Sequence, residues 1–321
     1  MLHHAGADIS EPMLFGLGQG IDFQYWDAPG PGRGTPMLTG RIGPALLSRN
    51  ACSALGVDLR ESRASDPEAA RAAAAELLEG GHVVGVSVDI FYLDYFSSRS
   101  HFASHYIALY GLDGSFAHVV DTDQQGGAQT LPEDSLRRAR DSGEGFLPSP
   151  NLQLYVERLP RRLTDDLDAV LREQIWSAVR STAQRMVGDR GQRSGLGALR
   201  RAATEIADWK DVPDELVAGV GRFWRFAGTG GANFRRLYRE FLTEARRRSG
   251  DATLDEAVDD FADVERQWDK AIELLMSYPA AVDRHGRLAD VEARLTAIAD
   301  AERSAFERLL TVATKRVGEP A

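Results

Sequence analysis

Cysteine is almost absent from this sequence, Cys52 being the single one. One cysteine excludes an internal disulfide framework and fits a reducing cytoplasm. Lysine is nearly as scarce. Lys210, Lys270 and Lys315 are the only ones, and arginine carries the rest of the positive charge, as a GC-rich bacterial genome would produce. Positive charge is in deficit overall: the net charge is -10. That balance argues against general nucleic-acid binding, which needs a positive field along the contact surface, and against a basic membrane-surface patch. No apolar run is long enough for a membrane span. The start, Met1-Leu-His-His-Ala-Gly6, lacks a basic region followed by an apolar core, so no signal peptide is visible. No repeat with a period of about 20 to 50 residues occurs.

What is present divides by texture near residue 160, within a length of 321 residues that suffices for two cores. Before residue 160, short β-branched runs alternate with turn signals. His82–Asp89, Tyr106–Tyr110, Phe116–Val120 and Leu152–Val156 read as strands, the middle two joined by a hairpin-type turn at Leu112-Asp-Gly-Ser115. Pro44 to Leu55, stopped by Gly56, and Asp66 to Leu78 read as helices. After residue 160 the spacing is helical throughout. The stripes run over Phe234 to Ala245, Leu254 to Leu275 and Val291 to Val312. A further helix is expected over Leu163 to Met186, with Thr164 as its N-cap. The expected fold is α+β: residues 1–160 form an antiparallel sheet with helices, and residues 161–321 an all-α bundle.

Two residues carry the chemistry. His105 stands in His101-Phe-Ala-Ser-His-Tyr106, at the start of an apolar strand, and Asp121 closes the next strand in Ala117-His-Val-Val-Asp121. In an antiparallel pair they can meet, the carboxylate fixing the tautomer of a histidine that acts as base toward a nucleophile. Spacing alone favours the other reading, a core histidine bonded to a backbone carbonyl and an aspartate that opens a turn. His101 and His105 share a face and raise a metal reading, but no glutamate of the zincin motif and no second Cys/His cluster accompanies them, so metal is disfavoured. Gly16-Leu-Gly18-Gln-Gly20 lacks the strand and helix of a dinucleotide loop and reads as a turn where backbone approaches a ligand or another segment. Gly228-Thr-Gly-Gly231 reads as a connector, since a phosphate loop would carry a lysine. Cys52 sits two turns into its helix, away from the first-turn amides that lower a thiol pKa, and reads as structural. No cofactor is expected.

Ser10-Glu-Pro-Met-Leu-Phe-Gly-Leu-Gly-Gln-Gly-Ile-Asp-Phe23, Val88-Asp-Ile-Phe-Tyr-Leu-Asp-Tyr95 and His101-Phe-Ala-Ser-His105-Tyr, in that order, resemble the N-terminal domain of the butirosin biosynthesis protein H family. Gly231-Ala-Asn-Phe-Arg-Arg-Leu-Tyr-Arg-Glu-Phe-Leu-Thr-Glu-Ala245 and the Trp268 region resemble the uncharacterised helical domain that often follows it. The resemblance implies a papain-like fold and an acyltransferase. Such an enzyme moves an aminoacyl group from a carrier-protein thioester to an amine of an aminoglycoside. His105 and Asp121 match the histidine and aspartate of the family site. Asp89 and Tyr92, with Gly18 and Gly20, are candidates for lining the substrate site, strand-end packing being the competing role for the first two. The implied partners are an acyl carrier protein or other acyl-thioester donor and a small amine, with no nucleic acid and no membrane.

The family nucleophile is a cysteine in a His-Cys pair at the start of the first helix, upstream of the Ser10 segment, and this sequence contains no such pair. Met1 to Ala5, closed by Gly6, reads as the last turn of that helix. The expectation is that Met1 is an internal methionine of a longer protein. The competing expectations are a catalytically inactive binding relative and, with water replacing the amine, a hydrolase.

Overall fold

A computed structural model of the chain describes residues 1–28, 34–97, 100–103, 105–226 and 231–318. Gly228 to Gly230 of the glycine-rich loop lie outside the described residues. In chain order the elements are α1 (Glu11–Leu17), β1 (Ile21–Trp26), β2 (Met37–Arg41), α2 (Pro44–Leu55), β3 (Asp58–Arg63), α3 (Pro67–Glu79), β4 (Val84–Val88), β5 (His105–Leu112) and β6 (Phe116–Val120). They continue with β7 (Ala128–Pro132), α4 (Glu133–Asp141), β8 (Leu152–Arg158), α5 (Arg161–Asp165), α6 (Leu167–Val187), α7 (Gly195–Glu205), α8 (Asp214–Phe226), α9 (Arg235–Ser249), α10 (Asp255–Met276) and α11 (Arg284–Gly318). The fold is α+β, as the alternation of texture predicts. No helix among the described residues is long and apolar enough to cross a membrane.

Two compact units form, each from two stretches of chain: Met1–Ile9 with Gly43–Leu167, and Ser10–Ile42 with Asp168–Ala321. The first unit is built on an antiparallel six-stranded sheet of order β3-β8-β4-β5-β6-β7. Its core sets Val84, Val86, Val88, Ile107 and Leu109 of the sheet against Ala74 of α3 and Leu136 and Ala139 of α4. Alternate residues of a strand face one side, so β4 presents its valines at every second position. Local chemistry sets the helix ends. Asp66 accepts from the Ala69 amide at 2.8 Å and Pro67 takes the first helical position of α3, while Gly56 ends α2 in the left-handed region. At the N-terminus the amides of Gly6 and Ala7 bond to the carbonyls of His3 and Leu2, the bond pair that closes a helical turn.

The second unit pairs the β1–β2 hairpin with helices. α1 packs on α9, α7 on β1, and α10 lies among α8, α9 and α11. Large rings fill its centre. Trp268 meets Trp224 edge-on at 5.1 Å and stacks on Phe23 at 5.9 Å, and Phe261 meets Tyr238 and Phe306 at 4.8 and 5.2 Å. Among them Arg235 and Glu302, both without exposed side-chain surface, form a bidentate pair at 2.7 and 2.9 Å. The Trp268 indole also donates to Glu302 at 2.8 Å, and Arg235 donates to the carbonyls of Asp22, Gly40 and Asn233.

One helix expectation fails. Leu163 to Met186 is not continuous: α5 ends at Asp165, and Asp166 turns out of the helix at φ -149°. Thr164 is therefore no N-cap. It lies inside α5 and returns its hydroxyl to the Arg161 carbonyl at 2.8 Å, an internal bond that competes with capping.

Candidate functional site

β4, β5 and β6 place His105 and Asp121 together. Val88 pairs with His105 across β4 and β5, and Ala108 pairs with Val120 across β5 and β6. Continuing the second register by one residue sets Asp121 opposite Ile107, two residues from His105. Both side chains then project on one face as diagonal neighbours, a spacing long side chains bridge. His105 Nε2 lies 2.9 Å from each Asp121 carboxylate oxygen. With the Nε2 proton assigned by that bond, Nδ1 is the basic nitrogen, and it has no hydrogen-bond partner among the described residues. The imidazole is one-fifth exposed and the Asp121 carboxylate not at all.

The carboxylate is held ionised. Burial alone pushes the Asp121 pKa up, but hydrogen bonds from His105, the Thr122 amide (2.7 Å) and the Tyr95 hydroxyl (2.9 Å), together with the charge of His105, outweigh burial and carry it below the usual range. Tyr95, in turn, has its pKa raised by burial and by the Asp121 charge, so its hydroxyl remains a donor. Phe96 turns its ring edge to the imidazole at 5.3 Å. The sequence reading missed both residues. Tyr95 closes the Val88-Asp-Ile-Phe-Tyr-Leu-Asp-Tyr95 motif and Phe96 follows it, but nothing in their local sequence ties either to the strand end carrying Asp121. Phe102, three residues before His105 in sequence, stacks instead on Phe146 at 6.2 Å.

The other candidates make contacts of their own. Asp89 follows β4, fully buried. Its Oδ1 accepts from the amides of Phe91 and Phe102, and its Oδ2 from His101 Nδ1 and the Ser142 hydroxyl, both at 2.7 Å. These four donors use the four lone-pair sites of the carboxylate and tie both ends of the 89–102 segment together, the strand-end role that the sequence also allowed. They outweigh burial and lower the Asp89 pKa, and the Asp89 bond raises that of His101. Tyr92 sits edge-on to His101 at 5.8 Å, under the guanidinium of Arg138. The two histidines of the metal reading are thus bonded to different carboxylates, and the described residues hold no cluster of three or more His, Cys, Asp or Glu able to bind a metal.

Gly18 and Gly20 belong to the second unit, in the turn from α1 to β1. A Cβ at Gly20 would enter the Phe15 ring, so this glycine serves a close approach to another segment of the chain. Cys52 is buried on α2, which packs on β3. Three strand spacings separate β3 from β5, roughly 14 Å. Burial pushes its thiol up to about 11, so it is neither near His105 nor a thiolate at neutral pH.

The histidine–carboxylate pair has no partner for its second ring nitrogen among the described residues, and its carboxylate is fixed by a third side chain. That arrangement suits a base serving an external nucleophile. Comparison with known families assigns residues 1–122 to butirosin biosynthesis protein H, N-terminal, and residues 134–309 to a domain of unknown function, DUF4872. A search of curated proteins finds no match. The second assignment alone spans more than half of the chain and the two occur in the order that the sequence motifs suggest, so the chain belongs to the DUF4872 family and carries a butirosin-H-type N-terminal domain ahead of it.

Proposed function

We propose that the protein is an acyltransferase of bacterial secondary metabolism, with His105 as base and Asp121 as its orienting group. The observation that carries this reading is the His105 Nε2–Asp121 bond at 2.9 Å, with no partner for Nδ1 among the described residues. The family name ties the N-terminal domain to the biosynthesis of a secondary metabolite. In the proposed reaction Nδ1 takes the proton of a cysteine thiol, and the thiolate attacks the carbonyl carbon of an acyl thioester. The donor C–S bond breaks and the leaving thiol recovers the proton. An amine then attacks the acyl-enzyme, His105 accepts its proton, and the cysteine sulfur departs as the amide forms. Asp121 holds the tautomer throughout and stabilises the imidazolium.

The 321 residues hold no cysteine placed to meet Nδ1, so the assay belongs on the gene product with its reading frame extended upstream. Incubation with an acyl thioester and candidate amines, followed by mass spectrometry, is expected to give amide. His105→Ala should abolish it, and Asp121→Asn should lower the rate on the order of 10²- to 10⁴-fold. Free acid with every amine tried would favour hydrolysis. A second reading, binding of an acylated carrier without turnover, is favoured by the lack of a thiol beside His105 among the described residues. An upstream in-frame stop with no His-Cys pair would decide for binding and sink the enzyme.

A further inference from the structure

Both oxygens of the Asp121 carboxylate are bonded. His105 Nε2 lies 2.9 Å from each. Oδ1 also accepts from the Thr122 amide at 2.7 Å, and Oδ2 from the Tyr95 hydroxyl at 2.9 Å. The Thr122 amide belongs to the next residue and ties the carboxylate only to its own strand end. Among the described residues, Tyr95 is thus the one side chain besides His105 that reaches this carboxylate.

The core and the loop place the Tyr95 ring without help from its hydroxyl. Leu93, 1 % exposed, is sunk in the core of the first unit, and Tyr95 and Phe96 pack on the same cluster. Two tight turns bring them there: the Leu93 amide donates to the Ile90 carbonyl at 3.1 Å, and the Phe96 amide to the Leu93 carbonyl at 3.0 Å. The neck of the loop is shut. The Ile90 amide donates to the Phe102 carbonyl at 3.1 Å, and the Asp89 carboxylate accepts from the amides of Phe91 and Phe102 at 3.1 and 2.9 Å. Asp89 is itself fixed to α4, its amide donating to the Ala139 carbonyl at 2.8 Å. A hydroxyl delivered this way loses little further freedom when it bonds. Apolar packing needs the ring alone, yet the hydroxyl is aimed at a carboxylate without exposed side-chain surface. With Oδ1 held from one side and Oδ2 from the other, the carboxylate cannot turn, and the imidazole that shares it inherits its plane.

We propose that Tyr95 is a positioning residue for the histidine base: its hydroxyl fixes the plane of the Asp121 carboxylate and, through it, the aim of His105 Nδ1. The consequence for catalysis rests on the acyl-transfer reading above; the hold on the histidine–carboxylate pair does not.

The test compares the full chain with Tyr95→Phe, which keeps the ring and removes only the hydroxyl. Tyr92→Phe removes a hydroxyl from the same loop, at a ring that sits against His101 instead. In Tyr95→Phe the His105 Nε2–H should exchange with water about 5- to 10-fold faster at neutral pH, as expected for the loss of one hydrogen bond from the pair. The Asp121 carboxyl carbon should begin its acid titration at higher pH, because burial is then less opposed. The amides of Ile107 and Leu109 should keep their protection, and Tyr92→Phe should move neither reading. In the gene product extended upstream, Tyr95→Phe should lower kcat for amide formation on the order of 10-fold and leave KM for the thioester unchanged. Unchanged Nε2–H exchange in Tyr95→Phe, or equal acceleration in Tyr92→Phe, would overturn the proposal. So would full kcat in Tyr95→Phe, or a loss confined to KM. An inactive extended wild type would count against acyl transfer alone, and the two resonances would still decide whether Tyr95 holds the pair.

Discussion

Arg235 ties the β1–β2 hairpin to α10 and α11. It reaches Glu302 through two charge-assisted bonds, three backbone carbonyls through Nη1, and the face of Trp268 at 4.9 Å. A pair so buried adds little net stability over well-packed apolar residues, but removing one partner strands a charge without water, at a cost of about 3–5 kcal/mol. Glu302→Gln is therefore expected to lower unfolding stability on that scale, measured by urea denaturation of the second unit's tryptophan signal. A loss well under about 1 kcal/mol would mean that water reaches the site.

At the scale of elements, the strands and helices with strong periodicity were legible. Pro44 to Leu55 is helical over the span that its proline and glycine mark, and Phe116–Val120 is a strand with the boundaries its residues suggest. β3, Asp-Leu-Arg-Glu-Ser-Arg63, escaped because it is a sheet edge whose polar side chains face water, and pairing with β8 rather than burial makes it a strand. α1 escaped because Gly16, Gly18 and Gly20 mask a short helix capped by Ser10. Gly16 is there for packing. A Cβ at that position would lie within the Phe241 ring of α9, so α1 sits on α9 only while residue 16 is bare. Gly16→Ala should destabilise by about 1–3 kcal/mol despite its better helix propensity, read as a shift in urea midpoint. An unchanged or raised midpoint would show that Phe241 can move aside. Of the site, His105 and Asp121 were legible from strand ends and from the resemblance. Tyr95 was not, because no local pattern says that a loop tyrosine folds back on a strand-end carboxylate.

At the scale of the whole molecule, ionisation sets a stability window. Asp89, Asp121, Asp251 and Glu265 are all held below the usual carboxylate range by hydrogen bonds and charges that outweigh burial, whereas burial raises Asp269. A depressed carboxylate adds stability that is whole above its unfolded pKa near 4 and fades as pH falls through the folded value. His101 has the opposite sign. Raised by Asp89, it adds stability below about 6.5 that fades as pH climbs through its folded pKa. Denaturation midpoints should therefore peak in mildly acidic to neutral solution and drop steeply below about pH 4. His101→Gln should flatten the alkaline side and leave the acid limb, which Asp121 still supplies. A midpoint indifferent to pH between about 3 and 5 would contradict the carboxylate assignments.

The two-piece construction of the second unit bears on the order of synthesis. The hairpin carrying Asp22 and Gly40 leaves the ribosome early, yet the groups that bind its carbonyls wait for Arg235, and that guanidinium waits for Glu302, roughly 280 residues after Asp22. At about 5–20 residues per second the hairpin is without its partners for tens of seconds, time enough for the intervening first unit to be completed. Nascent chains halted before residue 284 should leave Ser10–Ile42 open to protease while β4 and β5 are already protected. Protection of that hairpin before α11 emerges would show that it finds a temporary shelter.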